Sequence, residues 1–218
     1  MRRVYVDYAA TTPLDPRVLE AMTPYFTVVY GNASSINTFG LEAKRALEDA
    51  RKTVAGLMNA EPRELIFTGS ATEANNLALK GFAFKEGKEK THIAISTIEH
   101  DCVLNSAKWL EKQGYKVTYL PVDRHGLLDL RALGNALRRG ASLVSIIHAN
   151  NEIGTIQPLK EIGELCHEHG AYFHTDAAQS FGKIPIDVKA MNIDLMTVNA
   201  HKLYGPKGVG ALYIRKGT

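Results

Sequence analysis

Lys202 lies between an apolar run, Asp194 to Val198, and a glycine-rich turn, Gly205-Pro206-Lys207-Gly208. Asp176 ends another apolar run, Ala171-Tyr172-Phe173-His174-Thr175. Ligands of open α/β sheets bind beyond the carboxyl ends of the strands, so an amine and a carboxylate at two such ends can meet one ligand. A lysine amine forms Schiff bases with carbonyl compounds, and a carboxylate can keep a ring nitrogen protonated. Taken alone, Lys202 reads as a solvated loop lysine. Its company has to decide.

That company is found at other strand ends. Thr68-Gly69-Ser70-Ala71-Thr72-Glu73 is a glycine turn entering a helix. Free N–H groups there can hold a phosphate, although Ser70 or Thr72 could equally serve only as a helix cap. Glu99-His100 follows a second strand, and an imidazole can stack on a ring and move protons near neutral pH. Asn150-Asn151-Glu152 follows a third; its amides could bind a hydroxyl or carboxylate or merely close a turn. Gln179 stands three residues past Asp176, and Asn199 and His201 flank the lysine. Each signal is weak alone. Together, a Schiff-base lysine, a ring-nitrogen carboxylate and a phosphate turn suit pyridoxal 5′-phosphate (PLP).

The elements that position these groups follow from periodicity. Strands are predicted at Glu64–Thr68, His92–Thr97, Lys116–Pro121, Leu143–His148, Ala171–Asp176, Asp194–Asn199 and Gly208–Arg215. Helices are predicted from Asp15-Pro16 to about Phe26, from about Gly40 to Leu57, and over Ala71–Phe84, Asp101–Lys112, Asp129–Arg138 and Leu159–His169. The alternation implies an α/β three-layer sandwich with a seven-stranded, mostly parallel sheet. Only Ala200 to Lys207 joins the last two strands, too short for a parallel crossover, so the last strand should run antiparallel. Before the helices, Val4 to Pro13 reads as a short extended arm.

Composition narrows the partners. The chain has 218 residues, 45% hydrophobic and 22% charged, enough for one sizeable core. Its net charge of +3 is spread too evenly for a nucleic-acid footprint, and no apolar run approaches the ~18 residues of a membrane span. Cys102 and Cys166 make no disulfide framework, which points to a reducing cytoplasm. Both read as small packing residues. Cys166-His167-Glu168-His169 is not a metal site, because consecutive helical positions do not share a face.

Asp7-Tyr8-Ala9-Ala10-Thr11-Thr12-Pro13, Gly69 to Glu73, Glu99-His100, Asn150 to Gly154, His174 to Gln179 and His201 to Gly208 resemble the cysteine desulfurases. These are fold-type I PLP enzymes of the class V aminotransferase group. The resemblance covers nearly the whole chain and makes residues 1–218 an arm plus the PLP-binding large domain. It implies that Lys202 carries PLP as a Schiff base and that Asp176 pairs with the pyridine nitrogen. Gln179 would bond the ring hydroxyl, and His100 would stack on the ring as acid–base. Ala71, Thr72, Asn199 and His201 would hold the phosphate, and Asn151 would lie beside ring and substrate. The implied reaction takes L-cysteine to L-alanine and passes sulfur, as a persulfide on a protein cysteine, to an iron–sulfur scaffold or other acceptor. A homodimer is implied as well.

Family members continue into a small domain that carries the persulfide cysteine and a carboxylate-binding arginine. Both are expected to be absent here, leaving this chain inactive by itself. Asn199 replaces a usual serine, and Ala33 and Asn37 replace a proline and a histidine of Gly-Asn-Pro-Ser-Ser-x-His. Selenocysteine lyase or aminotransferase chemistry on the same fold, or a non-catalytic assembly domain, are the alternative readings.

Overall fold

A computed structural model describes residues 2–218. Its strands are β1 (Leu65–Thr68), β2 (His92–Ser96), β3 (Lys116–Leu120), β4 (Leu143–Ser145), β5 (Tyr172–Asp176), β6 (Leu195–Asn199) and β7 (Gly210–Ile214). They form one sheet in the order β1-β7-β6-β5-β4-β2-β3. Neighbours from β6 to β3 are parallel, while β7 is antiparallel to both β6 and β1. The last strand therefore runs antiparallel, and it lies inside the sheet with β1 at the edge.

The helices are α1 (Pro16–Met22), α2 (Pro24–Thr27), α3 (Thr38–Gly56), α4 (Ala71–Glu86), α5 (Asp101–Lys112), α6 (Leu130–Arg138) and α7 (Leu159–Glu168). Strand side chains alternate between two cores, as a period of two requires. Ile93, Ile95, Leu143, Leu195 and Leu212 pack with α4 and α5. Ala94, Val144, Phe173, Met196 and Tyr213 pack into the other core, with residues of α6 and α7. Three layers result.

Several boundaries differ from those predicted. The first helix is two, because Pro24 brings no N–H with which to continue the first. Helix α3 starts at Thr38, where the Asn37 side chain accepts from the Gly40 N–H at 2.9 Å. The departure at Asn37 thus supplies a helix cap. Glu64 belongs to a short 3-10 turn rather than to β1. The β4 ladder stops at Ser145, although Ile146 and His148 still donate to the carbonyls of His174 and Asp176. The region around Gln179 is a series of turns.

The topology places the site. From β2 the chain moves outward to β3, then returns to the other side of β2 for β4, β5 and β6. A crevice opens above the strand ends at such a reversal.

Candidate active site

A cleft of about 530 Å³ lies at this edge, and all nine predicted cofactor residues line it. Ala71 and Thr72 come from the start of α4, His100 from the start of α5, and Asn151 from the turn after β4. Asp176 and Gln179 come from the end of β5 and the turns beyond, while Asn199, His201 and Lys202 come from the end of β6 and the turn that follows.

The phosphate end follows from local geometry. Ser70 is the cap of α4, its side chain accepting from the Glu73 N–H, so the cap reading of this residue is correct. The cap leaves the first N–H groups of α4, those of Ala71 and Thr72, without an intrahelical acceptor. Glu73 folds back to accept from the Gly69 N–H at 2.7 Å and tightens the turn. Strand β7 runs close beneath: a Cβ on Gly210 would stand 2.6 Å from the Ser70 carbonyl carbon. Only glycine lets the strand approach this closely.

Asp176 is buried at the floor. One carboxylate oxygen accepts from the Ala178 N–H at 2.9 Å, the other from the Asn75 side-chain amide at 2.7 Å. Burial raises its pKa, while these two hydrogen bonds and the charges of His100 and Lys202 oppose the rise. No lysine, arginine or histidine forms an ion pair with it among the described residues. A buried carboxylate with hydrogen bonds but no contacting cation suits a protonated ring nitrogen as its partner. Its neighbour Glu99 is also buried and is pushed up to about 8, first by burial. One Glu99 oxygen accepts from the Ser96 hydroxyl and from the Ile147 N–H at 2.7 Å, fixing the segment that ends at His100.

The lysine side is held from far away in sequence. The Lys202 ammonium donates to the carbonyls of Ala9 and Ala10, the latter at 2.7 Å, and Gln179 donates to the Ala9 carbonyl at 2.7 Å. Burial, then the charge of Lys183, lowers the pKa of Lys202, which favours the free amine a Schiff base needs. Thr12 staples the loop. Its hydroxyl donates to the His201 carbonyl at 2.9 Å and accepts from the Tyr204 N–H at 2.8 Å. Tyr204 is in the left-handed region, with φ of 60°. The Thr11 hydroxyl and His201 Nδ1 are 3.0 Å apart. Burial is the first cause lowering the pKa of His201. Lys207 is exposed.

Some residues play other parts than those read from sequence. Asn150 closes a turn: its amide donates to the Ile98 carbonyl, and its oxygen accepts from the N–H groups of Glu152 and Ile153. Cys166 is buried in the core, whereas Cys102 is half-buried and lines the cleft. Packing alone does not describe Cys102, because the turn into α5 aims it at the site. Asn75 and Thr12 were missed. Asn75 left one signal, a polar residue on the otherwise apolar inward stripe Ala71, Ala74, Ala78. Thr12 stands in the Asp7 to Pro13 stretch of the resemblance but gave no sign of its role, because its partners are backbone groups. Among the described residues, no cluster of three or more metal-ligating side chains occurs and no helix is long and apolar enough to cross a membrane.

A helix-start anion cradle, a buried carboxylate and a lysine with a lowered pKa, all on the carboxyl edge of a mostly parallel sheet, define a site of the PLP type. The chain belongs to the aminotransferase class-V family, whose model matches residues 4–218. It is 56% identical to the cysteine desulfurase IscS of Rickettsia felis over 214 residues, 98% of this chain and 52% of that protein. A solved structure described as SspA in complex with cysteine is 47% identical, with a TM-score of 0.94 over 97% of this chain and 61% of its own. A NifS-like protein is 42% identical, with a TM-score of 0.96 over all of this chain and 60% of its own. The chain spans about half the length of the curated relatives it matches.

Proposed function

We propose that this chain is the PLP-binding large domain of a cysteine desulfurase, which takes L-cysteine to L-alanine and passes the sulfur to an acceptor for iron–sulfur cluster assembly. The observation that carries the reading is one cleft lined by Lys202, Asp176, His100 and the free amides of Ala71 and Thr72. The similarity to IscS and to SspA in complex with cysteine favours L-cysteine over other amino acids.

PLP would supply an electron sink for the bond broken at the substrate α-carbon. Lys202 would anchor it, and the start of α4 with Asn199 and His201 would hold its phosphate. Asp176 would keep its ring nitrogen protonated, and Gln179 would bond the ring hydroxyl. His100 would stack on the ring and exchange protons with the substrate. Asn151 would lie beside the substrate.

The sulfur-accepting thiolate would come from outside residues 1–218. Burial is the first cause of the high pKa of both thiols here, about 11 for Cys102 and about 12 for Cys166, and a protonated thiol is a poor nucleophile. The exposed Phe26, Val28, Tyr30 and Ile36 provide apolar surface suited to a second copy in a homodimer. Two free cysteines suit a cytoplasmic setting.

The test is the absorbance of the purified chain with PLP, followed by L-cysteine. L-cysteine should perturb the bound-cofactor band, and no alanine should be released. A band indifferent to L-cysteine but moved by L-aspartate would favour an aminotransferase. A chain that retains no PLP would support the non-catalytic reading.

A further inference from the structure

Asn75 is fully buried in α4 and touches both sides of the pocket floor. Its side-chain nitrogen lies 2.7 Å from Asp176 Oδ2 and 3.1 Å from Cys102 Sγ. The amide has two N–H groups, one for each acceptor. Turning it over would set its carbonyl against the Asp176 carboxylate, so the donor orientation holds even though it leaves Oδ1 buried without a partner. A buried orphan acceptor is costly. The arrangement persists because the two N–H bonds, one of them to a charged group, outweigh it.

Cys102 Sγ in turn lies 3.0 Å from His100 Nδ1, and the Cys102 backbone N–H donates to the same nitrogen at 3.2 Å. A backbone N–H can only donate, so Nδ1 accepts and the neutral imidazole carries its proton on Nε2. The Cys102 thiol keeps its proton at neutral pH, its pKa raised first by burial. Having accepted from Asn75, it can donate to Nδ1 in turn, sharing that lone pair with the backbone N–H. Every hydrogen bond then has one direction: the Asn75 amide donates to the carboxylate and to the sulfur, and the thiol donates to the imidazole.

We infer that Asn75 and Cys102 are positioning residues: one buried amide, acting through one thiol, couples the orientation of Asp176 to the orientation of His100, whose tautomer the Cys102 backbone N–H sets. Neither needs to touch a ligand. The inference takes its catalytic meaning from the reading of the cleft as a PLP site, but its test uses no cofactor or substrate, so the two can fail separately.

The experiment is nuclear magnetic resonance of the chain carrying isotope-labelled histidine and asparagine, with His100 signals assigned by their loss in His100→Gln and Asn75 signals by their loss in Asn75→Leu. Neutral His100 should show a protonated Nε2 and a bare Nδ1; a protonated Nδ1 overturns the inference with no variant needed. Asn75→Leu should shift the His100 Nδ1 signal although the two side chains are not bonded to each other. Cys102→Ala should shift that signal and one of the two Asn75 amide protons, leaving in place the Asn75 proton that bonds Asp176, and Cys102→Ser should restore both shifts in part. A His100 signal unchanged in both Asn75→Leu and Cys102→Ala would show that no coupling runs through the thiol. Should Asn75→Leu not fold, Asn75→Ala supplies the assignment, and the substitutions at half-buried Cys102 decide on the same signals.

Discussion

The carboxylate side of the cleft is built from buried strand ends and helix starts, whereas the lysine side is a half-exposed loop stapled by an arm nearly 190 residues away in sequence. On the first side Asp176, Asn75 and Glu99 are buried, with Asn75 on α4 donating to Asp176 at the end of β5. On the second, Lys202 is held by two backbone carbonyls of the arm and Tyr204 by one hydroxyl. A ligand that must be gripped on both sides thus meets a fixed floor and an adjustable wall. The comparison makes separate demands on the two sides. A change in the floor should cost stability and geometry together. A change in the wall should spare the fold and alter how the lysine is presented.

The largest effect belongs to the wall. Borohydride trapping of the chain with PLP should place the pyridoxyl label on Lys202, and Lys202→Ala should abolish it. Lys207→Ala should leave the label untouched, since Lys207 is exposed. Peptide mapping that finds the adduct on Lys207 would remove the lysine side from the comparison altogether.

Gly210→Ala attacks the floor at the anion cradle. The new Cβ, 2.6 Å from Ser70 backbone, must push β7 or the Ser70 turn aside. The cost is on the order of 1–3 kcal/mol in denaturant unfolding, and PLP retained through gel filtration should fall with it. Normal stability with normal retention would show that the strand can move away freely.

Glu99→Gln tests what burial does to the floor. Because the folded protein holds this acid at about 8 against an ordinary 4.5, the folded state binds more protons than the unfolded one between those values. Stability should therefore fall as pH rises through that window, by up to about 1.4 kcal/mol per pH unit, and Gln should flatten this part of the profile. Two buried histidines work in the opposite direction. His148 and His174 are held near 4 and 3 by burial, so they cost stability as pH falls below an ordinary 6.5. Unfolding free energies of wild type and Glu99→Gln that run parallel from pH 4.5 to 8 would place the proton elsewhere.

How much of this was legible in the sequence differs between the same two sides. The strand ends were legible because apolar runs and polar ends sit side by side in the chain, and parallel order brings the ends to one edge. That is why all nine named residues line one cleft. The floor's inner layer was half legible: Asn75 interrupts an apolar stripe, but nothing in the chain says that it faces Asp176 101 residues away. The thiol of Cys102 read as packing because its bond to His100 depends on how the helix start aims both side chains. The wall was legible in its lysine but not in its support, because the carbonyls of Ala9 and Ala10 that hold Lys202 carry no residue-specific signal. Residues Leu143 to His148 read as one strand because extended backbone continues past Ser145, where the ladder stops but hydrogen bonds to β5 persist.

The smallest predicted effect tests the wall's staple. Thr12 is buried and gives the lysine loop two side-chain hydrogen bonds, while its backbone N–H adds a third to the His201 carbonyl at 3.0 Å. Thr12→Val keeps the shape and the backbone bond and removes the other two. Each is worth about 1 kcal/mol net, and the freed Tyr204 N–H belongs to an exposed residue and can turn to water, so the expected loss is about 1–2 kcal/mol. That is less than Gly210→Ala should cost if the strand cannot shift. The informative readout is not stability but labelling. Lys202 should still take the pyridoxyl label, only more slowly, because the arm no longer fixes the turn that presents the amine. The Asn75 and His100 signals of the floor should stay in place, since no hydrogen bond joins Thr12 to either residue. A variant whose labelling rate is unchanged while floor signals shift would reverse the assignment, making Thr12 part of the fixed frame and the lysine loop self-supporting.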